Sequence, residues 1–208
     1  MRNPWVIRGI NLKWIILMAL IIAAYLLWPS GKRYPPGVLI KSTPRMEMLE
    51  GAKSWSYRAG TREFTLTPRA QFAMEARVLS VNKEYDDVRI GPLDIVVGWG
   101  AMSDQKVLDG IRIWQDNTRH WFCMPRGREW PIPMDEVGGS AVNTHIIPAD
   151  REIEKKLMAL RKGDLISLKG LLVDVSGEQG FSWRTSVTPG GFGDHSCKII
   201  WVQKLDRR

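Results

Sequence analysis

Residues 14–28 read WIILMALIIAAYLLW, an unbroken apolar run without a single charged side chain. A chain carrying such a run must bury it or place it in lipid, because this much apolar surface is not left in water. A helix over it is about 22 Å long, against a hydrocarbon core of about 30 Å. Leu12 and a snorkelling Lys13 extend it at one end, Pro29 and Ser30 at the other. Trp14, Tyr25 and Trp28 sit near its ends, where amphipathic rings favour an interface. The expectation is an uncleaved transmembrane anchor over 12–30, which makes a lipid bilayer the first partner. A cleaved secretory signal competes with it, but no small-residue cleavage triplet follows the run. A buried helix of a soluble fold is the third reading.

The anchor reading also redistributes the charge. The net charge is +8. Arg2, Arg8, Lys13, Lys32 and Arg33, with no acid among them, contribute five of those charges within residues 1–33. The rest of the chain carries only +3, too little to make a nucleic-acid binder on charge alone. A short basic N-terminus marks the inner side of a single span, so the C-terminal part is expected outside the cytoplasm. With 44% hydrophobic and 25% charged residues, the chain is not globally disordered. Two cysteines exclude a disulfide-dense scaffold and a four-cysteine zinc site.

Past the short basic segment 1–11 and the anchor, residues 31–62 read as a linker with an ambiguous end. Pro35-Pro36-Gly37 cannot continue a helix, and residues 29–45 suit an extended tether. Residues 46–53 suit a short helix, and residues 62–67 a short strand. Residues 63–208 form the folded domain. There the period is mainly that of strands. Phe72, Met74, Ala76 and Val78 alternate, and the phase slips at Leu79, which predicts a bulge. Residues 93–97, 111–114 and 120–124 read as further strands, with a helix over 104–108 capped by Ser103. Asp150 caps a helix whose Ile153, Leu157 and Leu160 share one face and which Gly163 closes. A long strand over 164–175 follows, with Gly170 able to bend it. Residues 181–187 and 198–203 complete the set. Three strand regions, a helix, then two or three strands is the OB order. The expected fold class is mainly β: a small OB-like β-barrel with one helix, preceded by an N-terminal transmembrane helix.

The segments GPLDIVVGWGAMSD, NTHIIPAD, GDLISLKGLLVDV, FSWRTSVT and CKIIWV, in this order, resemble a group of uncharacterised bacterial single-pass membrane-anchored proteins with an OB-like β domain. The resemblance covers about residues 65–203. It implies bacterial origin and architecture, a place in the inner membrane with the domain in the periplasm, and no chemistry. The stretch TPGGFGDH is richer in glycine than the group suggests.

Motif chemistry is sparse. No P-loop, dinucleotide fingerprint, zincin motif or C-x-x-C pair occurs. His120-x-x-Cys123 and His195-x-Cys197 offer four zinc ligands, but strand alternation turns His120 and Cys123 to opposite faces. A disulfide between Cys123 and Cys197 is the better use of two cysteines, with two separate thiols as the other outcome. No metal and no cofactor is expected. His145 beside Asn143 suits either a loop base or local capping. Ser186 lacks a nucleophile elbow. Asp94 and Asp104 flank Gly98-Trp99-Gly100 and read as turn and cap residues. Of the tryptophans, Trp99 and Trp130 lie in glycine- and proline-rich loops and are the better exposed candidates. Trp183 and Arg184 pair an aromatic ring with a cation, as do Arg112, Arg119, Arg126 and Arg128 near other tryptophans. The expected ligand-binding set is Trp99, Trp130, Asn143, His145, Trp183 and Arg184. The expected function is a membrane-tethered, non-catalytic binding or assembly module of the bacterial cell envelope with a protein partner. The alternatives are a single-strand nucleic-acid binder, if the domain faces the cytoplasm, and a hydrolase using His145.

Overall fold

The computed structural model describes residues 12–27, 31–83, 90–116, 121–188, 190–191 and 196–208. Two compact units result, Met1–Ser30 and Gly31–Arg208.

In the first unit, helix α1 (Leu12–Leu27) has 16 residues. At about 1.5 Å per residue it is about 24 Å long. No helix among the described residues is long and apolar enough to cross a membrane. The expected transmembrane helix is therefore corrected to a shorter apolar helix whose Trp14, Met18 and Leu20 are exposed.

The second unit is built on β3 (Arg62–Lys83), a strand of 22 residues. Before it come β1 (Arg45–Met48) and β2 (Trp55–Ala59). After it follow β4 (Leu93–Gly98), a 3-10 turn over Gly100–Ser103, and α2 (Gln105–Asp109). Next are β5 (Ile111–Gln115), β6 (Trp121–Pro125), α3 (Met134–Gly139), β7 (Ala141–Pro148) and α4 (Arg151–Met158). The chain ends through β8 (Leu165–Gly177), β9 (Ser182–Trp183) and β10 (Lys198–Arg207).

Five strands close on themselves. β3 pairs β4, β4 pairs β7, β7 runs parallel to β10, β10 pairs β8, and β8 returns to β3. α4 lies between the third and fourth strands of this circuit in chain order, but the expected small OB-like β-barrel is not what forms. The sheet as a whole is larger than a small five-stranded barrel. β1, β2 and β9 make it an eight-stranded mixed sheet, and β5–β6 form a separate two-stranded one. α2 falls on the brief helix expected over 104–108, and the short α3, not expected, joins it and α4.

β3 shows why the sequence takes this path. Its alternating apolar residues face inward, and its register slips between Pro68 and Ala70 and again between Val78 and Ser80. The second slip turns Val78 into the barrel and Leu79 into the outer cluster beside Val96 and Met102. Pro68 falls between the residues paired by β1 and those paired by β2, where the missing N–H costs no ladder bond on that side. Gly170 is forced by crowding: a Cβ there would lie 2.2 Å from the Trp201 carbonyl oxygen. α4 starts at Asp150, whose carboxylate accepts from the Ile153 N–H at 2.8 Å. It turns Ile153 and Leu157 onto the barrel cluster, which also holds Phe72, Ile95 and Ile200.

Residues 31–62 belong to this unit and are not a free tether. The strap over 31–40 is sewn to the turn and α2. Ser103 Oγ accepts from the Leu39 and Ile40 N–H groups at 3.1 and 3.0 Å. Asp104 accepts from Gly37 at 2.9 Å and Gln105 from Tyr34 at 3.2 Å. Arg33 makes a two-pronged pair with Asp109 at 2.8 Å. Ile40 is buried in the barrel cluster. The cap of α2 is thus Asp104, while Ser103, expected to cap, holds the strap instead. Residues 46–53, expected to be helical, supply part of β1.

Candidate functional site

The residues singled out from sequence divide into a sealed polar cluster and a few exposed groups. Every residue of β4 and β7 is buried. Both faces of these strands are covered by the protein's own chain. Asp94 and His145 stand opposite each other on β4 and β7. His145 Nδ1 lies 2.7 Å from Asp94 Oδ1. On the other side Nε2–H donates to the Ile90 carbonyl, and the Trp183 ring covers the imidazole at 4.6 Å between centroids. Both nitrogens are used and the side chain is fully buried, so no lone pair is aimed at a substrate. Asn143, one alternation step along, accepts from Gln115 at 2.9 Å and donates to Cys197 Sγ at 3.7 Å. The cluster fastens β4 and β7 to the segments lying over them.

Trp99, expected to be exposed, is 2% exposed. Its flanking glycines let the backbone turn inward. Gly100 adopts φ +51 and donates to the Ile40 carbonyl at 2.8 Å. Trp130 is half-buried against the outer cluster of Leu79, Val96 and Ile111. Arg184 is exposed. Ser186 is buried, its hydroxyl 2.8 Å from that of Thr188. Cys123 and Cys197 are not joined in a disulfide. Burial pushes the Cys123 thiol up to about 11, which keeps it unreactive. His120 and His195, half of the candidate zinc set, lie outside the described residues. Among the described residues no three His, Cys, Asp or Glu side chains gather to hold a metal.

Two features were not singled out from the sequence. Lys198 is fully buried at the start of β10. Its ammonium donates to the Ser186 carbonyl at 3.4 Å and to that of Thr188, and lies 5.8 Å from the Phe72 ring centre. Burial lowers its pKa to about 8.

The second is the β5–β6 hairpin. Its inner face, Ile111, Ile113, Trp121 and Cys123, packs on the outer cluster. Its other face carries Arg112 opposite Met124 and Trp114 opposite Phe122. The Trp114 and Phe122 rings stack at 5.5 Å with 21° between planes. Trp114, Phe122 and Met124 remain 39%, 40% and 44% exposed. Exposed Arg126 follows, its backbone held by a bond to the Gly110 carbonyl at 2.8 Å. The parity of Trp114 was a usable signal. It shares a strand face with Arg112, not with Ile111 and Ile113.

Comparisons with protein-family models, with curated proteins and with solved structures find no match. The resemblance to membrane-anchored bacterial proteins therefore has no support beyond the quoted segments.

Proposed function

We propose that the chain is a non-catalytic binding module that docks a protein partner on the outer face of the β5–β6 hairpin. One observation carries the reading: a stacked Trp114–Phe122 pair held in the open, beside Met124 and Arg112, on a hairpin whose other face is anchored. Trp and Arg are the residue types that dominate binding hot spots, and Met adds an adaptable apolar contact. The hydrolase alternative loses its base, because His145 is sealed with both nitrogens engaged.

A second reading has its own observation. Stacked aromatic rings next to Arg112 and Arg126 also suit single-stranded nucleic acid, whose bases stack on such platforms. Against it stands the charge of only +3 carried beyond residue 33.

The test places a photo-crosslinker at Met124 of the full chain in cells, with exposed Thr65 as the control position. The expected result is a discrete protein adduct from position 124 alone, lost in a Trp114→Ser/Phe122→Ser variant. No adduct, or the same adduct from both positions, overturns the reading. Anisotropy with oligothymidylate decides the alternative. Binding that falls steeply with salt and is lost in the same variant favours nucleic acid.

A further inference from the structure

A groove of about 720 Å³ crosses β1, β3, β8 and β10. We propose that this groove binds an extended peptide segment with an acidic side chain seated between Arg45 and Lys169. The site is distinct from the hairpin face.

Register places the groups. Arg45 pairs with Ala73 across β1–β3, and Ala73 pairs with Lys169 across β3–β8. Two exposed cations thus flank a small residue in one row. Neither has a carboxylate or hydrogen-bond partner among the described residues. The acids close by are accounted for differently. Glu75, the next outward residue of β3, is bonded to Arg208 and Ser42, and Asp206 lies 3.5 Å from Lys204. The adjoining row brings Glu47 opposite Gln71, and Gln71 opposite Leu171. Gln203 lies where the β10–β8 register shifts.

These linings select among ligand classes. No exposed aromatic ring lies in the groove, so neither a base nor a sugar face finds a stacking platform. Glu47, at the β1 end of its row, repels a uniformly anionic polymer. An extended peptide fits the mixture. Gln71 and Gln203 each offer both a donor and an acceptor, as peptide units require. Leu49 and Leu171 give an apolar wall, and the two cations take a carboxylate. Four strands at about 4.8 Å spacing give about 14 Å of groove, the length of roughly four extended residues.

Peptide-phage display against the full chain tests this. The expected result is enrichment of peptides with Asp or Glu at one fixed position. As synthetic peptides they bind about tenfold more weakly to an Arg45→Glu/Lys169→Glu variant, and an Asp→Lys peptide recovers binding on that variant. Ala73→Trp, which fills the seat, abolishes binding. Thermal melts establish that the variants fold, and Lys169→Gln serves as a milder second variant. No enrichment, or peptides indifferent to these substitutions, overturns the proposal. A sulfated oligosaccharide that binds more tightly than any peptide and is lost in the same variants overturns the ligand class.

Discussion

Lys198 enters the barrel with two backbone carbonyls and a ring face for company. An unfolded lysine keeps its proton to about pH 10.4, and burial brings this one down to about 8. Between those values the unfolded chain binds the extra proton, so stability rises with pH there. Cys123 acts in the opposite sense. Its thiol, ordinarily near 9, is raised to about 11, so stability falls as pH climbs through that interval. The unfolding free energy from urea titrations is expected to rise between about pH 8 and 9 and to flatten above. Lys198→Met removes the rise; Cys123→Ala removes the flattening. His145 gives a separate test. Replacing it by Ala leaves Asp94 buried without its partner, with an expected loss of about 3–5 kcal/mol in the same titration. Adduct formation from Met124 is expected to persist at temperatures where that variant remains folded. These roles were not legible from spacing. His145 and Asp94 are far apart in sequence, and only the β4–β7 register brings them together. Trp114 was legible in principle, through its shared parity with Arg112.

The strap shows what sequence reading reaches and where it stops at the level of segments. α4 was readable because its cap and its apolar face lie within one short stretch, although it ends at Met158 with Ala159 as its C-cap and not at Gly163. The bulge after Val78 was readable from a slip in alternation. A proline-rich segment reads as a tether because its own residues cannot pair with one another. Its partners, Ser103, Asp104 and Gln105, lie far along the chain and carry no local mark of that role. Likewise Trp99 reads as exposed from its glycine neighbours, yet those glycines are what let it turn inward. Ser103→Ala is expected to leave two backbone donors unpaired and to cost about 1–3 kcal/mol by urea titration. Amide exchange at Leu39 and Ile40 is expected to accelerate, while exchange across β3–β8 keeps its rank. Arg33→Ala, which removes an exposed pair, is expected to cost no more than about 1 kcal/mol.

Three clusters hold Gly31–Arg208 together: one inside the barrel, one under β2 and the far ends of β3 and β8, and one beneath the hairpin. A chain beginning at Gly31 is therefore expected to unfold at the same urea midpoint as the full chain. A chain beginning at Gly51 loses the strap and β1 and is expected to unfold at a clearly lower one. The strand order of the circuit was legible only in part: β3 and β8 carry their own alternation, whereas β4 and β7 are buried at every residue and show none, and β7 read as a loop leading into α4. The additional strands were not legible, since β1 and β9 are too short to show a period. β3 also has a consequence for how the molecule is made. It is the longest strand, and its main partner β8 lies about 100 residues later. At roughly 5–20 residues per second of synthesis, β3 waits on the order of 5–20 seconds on the ribosome before its partner exists. During that interval its apolar row is open to other nascent chains. Yield in cells is thus expected to respond to chaperone supply and translation rate more than to the stability of the finished barrel.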